Sequence, residues 1–133
     1  MFLNRLSAEQ KELFLDLCIH ASNSNNNFDE IEREKIIEYC EEMRIDIRFE
    51  EQNTLAEAAG RLSEISTEQE LRMIVLETAA LLISDNVIDD DEKKFFDTLT
   101  DKLGMAKEDT EGVFDMLREL SAVYEKIFEF VEP

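Results

Sequence analysis

A chain of 133 residues with 33 acidic and 14 basic side chains carries a formal charge of −19, a field that repels nucleic-acid backbones and anionic membrane surfaces. The length suits a single domain over residues 1–133, and three Gly and one Pro among plentiful Glu, Leu, Lys, Ala and Ile point to an all-α fold. No apolar run reaches the ~20 residues of a membrane span and residues 1–5 lack a signal-peptide core, so the expectation is a soluble, cytoplasmic protein with no nucleic-acid partner and no membrane insertion.

The first helix is predicted to open at Ser7-Ala8-Glu9-Gln10, which has the form of a capping box. Leu13, Phe14, Leu17, Cys18 and Ala21 give its apolar stripe, which ends at Ser22. Residues 22–27 are Ser and Asn only and read as loop, because these side chains compete for backbone hydrogen bonds. Asp29 caps a second helix, with Glu32 three residues on and Ile36, Tyr39, Cys40 and Met43 as its buried face, ending near Arg44. Ile45, Ile47 and Phe49 alternate with polar residues, but no second strand exists to pair with them. They read as an extended connector laying three apolar side chains on the core.

Thr54-Leu55-Ala56-Glu57 and Thr67-Glu68-Gln69-Glu70 are two further boxes. The helix after the second carries Leu71, Ile74, Val75, Leu81 and Leu82 with Met73, Leu76 and Ile83 on flanking faces. It is apolar nearly all round and is the predicted centre of the bundle. A short acidic turn follows, and then Phe95, Phe96, Leu99 and Leu103 mark another buried face, with Gly104 placed as its left-handed close. A final amphipathic helix is predicted from about residue 108 to residue 131, kinked at Gly112. The total is a bundle of six to eight helices.

The acidic turn, Ser84-Asp85-Asn86-Val87-Ile88-Asp89-Asp90-Asp91-Glu92-Lys93, matches Ser24-Asn25-Asn26-Asn27-Phe28-Asp29-Glu30-Ile31-Glu32-Arg33 when sixty is subtracted from each number. The same offset places residues 41–45 on residues 101–105 without a gap. Two separated matches at one offset argue for a duplicated helix-turn-helix unit.

Asp89 and Glu92 have the spacing of a helix start, with Asp89 as cap, and Asp29 and Glu32 share it. That reading leaves Asp85 unexplained, since it precedes the helix. The stretch is not an EF-hand, because the glycine expected five positions after Asp85 is Asp90 and the twelfth position is Phe96. Ser84 to Glu92 resembles the turn pattern of TerB-like proteins, the tellurite-resistance-associated helical family also found as a domain of DjlA co-chaperones. Leu103-Gly104-Met105 is similar to that family as well, and the resemblance spans residues 13–105 in outline.

The resemblance implies an all-α fold with two such turns related by a pseudo-twofold, and divalent-metal binding through their acids. Asn86 replaces the family's Gly, and Asn25-Asn26 stands where the family has Asp-Gly. The metal site it implies, for Ca or Mg, therefore falls on Asp85, Asp89 and Glu92 rather than on Asp29 and Glu32, with water and backbone oxygens completing the shell.

Cys18 and Cys40 lack CxxC spacing and read as free buried thiols, and His20, the only histidine, as a polar helix-end residue. No Ser, Cys or His stands in nucleophile spacing and there is no Gly-rich phosphate loop, so catalysis has little support. The expected function is a non-enzymatic TerB-like module of a stress system, binding divalent metal or a protein partner. The alternatives are an adaptor that takes a basic partner through an apolar groove beside the final helix, and a metal-dependent hydrolase, which needs two clustered acid sites. Turns lying side by side would form one composite site, whereas turns at opposite ends would be separate helix corners.

Overall fold

The computed structural model describes residues 1–24, 29–84 and 87–133. Among them every regular element is helical: a 3-10 turn at Leu3–Arg5, then α1 (Ala8–Ser22), α2 (Glu30–Met43), α3 (Leu55–Ile65), α4 (Glu68–Leu82), α5 (Asp90–Lys102), α6 (Lys107–Thr110) and α7 (Val113–Val131). Six of these have eleven residues or more, and α6 is a single turn. The all-α bundle expected from composition is the fold observed.

The local signals act where the sequence placed them. Ser7 Oγ accepts from the Gln10 amide at 3.2 Å while Gln10 Oε1 accepts from the Ser7 amide at 2.8 Å. Thr54 with Glu57 and Thr67 with Glu70 make the same reciprocal pair. Each box satisfies two amides that a helix start leaves without partners.

Packing departs from expectation in α1. Not only its stripe but the whole run from Leu13 to Ile19 is buried, and α1 packs on α2, α3, α4 and α5. The centre is therefore shared between α1 and α4 rather than held by α4 alone. Asp16 disguised this, as a charge in the middle of the run. It is fully buried, with Oδ1 accepting from Arg48 Nη1 at 2.7 Å and from the Gln52 amide at 2.9 Å, and Oδ2 accepting from Asn53 Nδ2 at 2.9 Å. A buried carboxylate with a cation and two further donors is compensated.

The same clamp explains the connector. Residues 45–49 form no strand, and Ile45 and Phe49 pack on the core as expected, but Ile47 is exposed. Arg48 turns inward to Asp16, which a strand directing residues 47 and 49 inward would forbid. Arg33 stacks over the Phe49 ring at 4.1 Å.

The sixty-residue offset extends beyond the two turns. α1 and α4 occupy equivalent spans, α2 and α5 begin at equivalent residues, and both close on a left-handed residue, Arg44 (φ 58°) and Gly104 (φ 73°). The closing bonds also correspond, with the Ile45 amide on Cys40 O at 3.1 Å and the Met105 amide on Thr100 O at 3.0 Å. Buried positions coincide, as in Phe14 with Ile74, Ile36 with Phe96 and Met43 with Leu103.

The final helix is broken rather than kinked. Gly112 at φ 86° ends the turn of α6 and starts α7, a backbone state that a side chain at this position would strain. Val113, Phe114 and Leu117 seat the start of α7 on the core, with the Phe114 ring 4.7 Å from that of Phe96. From Ala122 onward every residue of α7 is exposed.

Candidate metal centre at the paired acidic turns

At the start of α5, Asp89 Oδ1 accepts from the Glu92 amide at 2.8 Å, and Glu92 Oε1 accepts from the Asp89 amide at 3.2 Å. At the start of α2, Asp29 Oδ1 accepts from the Glu32 amide at 2.8 Å. Both Asp-x-x-Glu pairs therefore do cap their helices. Capping does not account for the rest of the arrangement.

Glu32 and Glu92, the third helical residues, are both buried. Glu57 and Glu70, at the same position in the boxes of α3 and α4, are held below the usual carboxylate range, first by their bonds to the capping backbone amides. Glu32 goes the other way and is pushed up to about 7, first by burial and then by the charges of Asp29 and Glu92. The hydroxyl of Ser22 and the Asp29 amide offset part of this. Ser22 Oγ is fully buried and makes no hydrogen bond of ordinary distance and angle among the described residues.

The first turns of α2 and α5 are near enough for the charge of the buried Glu92 to act on the buried Glu32. Two like charges shielded from water repel, and both would be relieved by a proton or a cation.

Of the residues singled out from sequence, Glu92 is buried in this arrangement and Asp89 is exposed at its edge. Asp85 lies outside the described residues, as do Asn25, Asn26 and Asn86. Glu32, which the sequence passes over because its turn lacks a carboxylate, is the one raised, in part by the charge of Glu92. The signal that could have found it was the offset itself, which makes Glu32 the counterpart of Glu92. Among the described residues no group of three or more His, Cys, Asp or Glu side chains is placed to hold a metal ion. The donors available are oxygens, the kind Ca or Mg takes.

The other candidate ligands are accounted for. Cys18 and Cys40 are free, buried thiols, both pushed up first by burial. His20 Nε2 donates to Asn53 O at 2.9 Å, the only role a carbonyl permits it. Among the described residues no helix is long and apolar enough to cross a membrane.

Comparison with known proteins adds no name to this geometry: no family model matches the chain, and neither a curated protein nor a solved structure does.

Proposed function

We propose that the chain is a non-enzymatic, TerB-like helical module that binds a divalent cation, Ca or Mg, where its two acidic turns meet. Asp85, Asp89 and Glu92 would supply the ligands from one turn, and Glu32 would face the ion from the other. The observation that carries this reading is the burial of two equivalent glutamates, one of which is raised by burial and by nearby acids including the other, whereas Glu57 and Glu70 at the same position of other boxes are lowered. A cation there would ease the repulsion that raises Glu32. The tellurite-resistance-like stress role follows from the resemblance of residues 13–105 to that family.

The test is a titration of the metal-free protein with calcium and magnesium, following backbone amide signals. Shifts confined to residues 29–32 and 85–92, saturating on one curve, support the composite site. No localised shift at millimolar metal removes it, and Asp85→Ala should weaken binding without unfolding the domain.

The exposed face of α7 favours a second reading, compatible with the first, in which the module also docks a protein through an apolar surface. Capture of that partner would survive Asp85→Ala and would not depend on metal.

A further inference from the structure

We propose that α7 is a self-association arm, its apolar face pairing antiparallel with α7 of a second copy of this chain. The proposal rests on the reading of α7 as a docking surface and names the occupant. Val113, Leu117, Leu120, Tyr124, Ile127 and Val131 recur at spacings of four and three, the seam of a two-helix coil. The body covers only the first part of that seam. Along the rest of α7 large apolar side chains stand open, from Leu120 at 40% to Phe130 at 88%, with Met116, Val123, Ile127 and Phe128 between them. A run of exposed large apolar side chains along one helix face is more than single chains ordinarily leave bare.

The shape is self-complementary. Beside the first half of α7 runs a groove of about 400 Å³ lined by Tyr39, Leu76, Ala80, Met116, Leu117 and Leu120. Antiparallel pairing lays the bare second half of one arm along the groove of the other, twice by symmetry. Leu117 falls opposite Ile127 and Leu120 opposite Tyr124, each pair occurring twice by symmetry.

Other occupants fit less well. The polar side of α7 carries Asp115, Glu119, Glu125 and Glu129 against Arg118 and Lys126, the wrong balance for an anionic bilayer. Of the groove's carboxylates, Glu42 and Glu77 share the Met1 ammonium at 3.0 and 2.9 Å and Glu38 lies 3.9 Å from Lys35 Nζ, so a cation of this chain already stands beside each.

Sedimentation equilibrium of the full chain tests this. The expected mass is twice 15.5 kDa, with association tightened by added salt, because an apolar contact is here opposed by repulsion between two chains of −19. Ile127→Asp with Phe130→Asp, both at exposed positions, should give the single-chain mass with unchanged far-ultraviolet circular dichroism. A wild-type chain of single mass at about 200 μM in high salt, or a dimer that survives the double Asp variant, overturns the proposal. In the first case an apolar dye whose fluorescence drops in that variant leaves the docking surface standing without the second copy. Equal dye fluorescence in both removes the surface too.

Discussion

A glutamate at the third position of a helix ordinarily holds its charge more readily than in water, as Glu57 and Glu70 do. Glu32 reverses that rule, and the sign of its effect on stability follows. Its folded-state affinity for the proton is raised, from about 4.5 to about 7. Its contribution to stability is therefore fully present below pH 4.5 and is lost as the pH rises through 7. Glu32→Gln keeps the shape and removes the titration. Relative to wild type, this variant should gain thermal stability between pH 5 and pH 8, and parallel melting curves across that range would contradict the coupling.

At the same scale, Asp16 depends on Arg48 for its counter-charge. Arg48→Ala should destabilise the domain by about 3 kcal/mol in urea unfolding, because it leaves a buried carboxylate without its cation. Asp89 and Glu92 were legible in sequence because a cap is a local pattern. The burial of Glu32 and the Asp16 clamp were not, since their partners lie sixty and thirty-two residues away.

The elements were largely readable from the chain because helix starts and stops are set by a few adjacent residues. Thr54, Thr67 and Gly104 sit where their boxes and cap were predicted. Arg44 is the exception, as no residue preference marks it as left-handed, and only the offset from Gly104 does. The two equivalent positions should respond oppositely. Arg44→Gly should raise stability by roughly 0.5–1 kcal/mol by removing left-handed strain, and Gly104→Ala should lower it by about 1 kcal/mol. Urea midpoints measure both. Equal signs at the two sites would mean that the closing turns are not equivalent.

At the level of the whole molecule, −19 on 133 residues works against a compact state. Whatever screens or neutralises that charge should stabilise the fold, so melting temperature should rise with sodium chloride. Calcium at matched ionic strength should raise it further, through added stability of about 2.7 kcal/mol at a hundredfold excess over the dissociation constant. A calcium effect no larger than that of an equal ionic strength of sodium chloride would leave only screening. The amphipathic pattern of α7 was plain in the sequence, but periodicity reads alike whether a face meets its own core or another molecule. Only the packed body shows that from Ala122 onward every residue of α7 is exposed.

The meeting of the two turns is tested most directly by following the side-chain carboxyl carbon of Glu32 by NMR as pH is varied, with and without millimolar calcium. The paired arrangement predicts a midpoint near 7 in the metal-free protein and a fall toward the ordinary carboxylate range when calcium is present. A midpoint near 4.5 without metal would contradict the pairing of the turns, and a midpoint near 7 that calcium leaves unmoved would contradict the metal site.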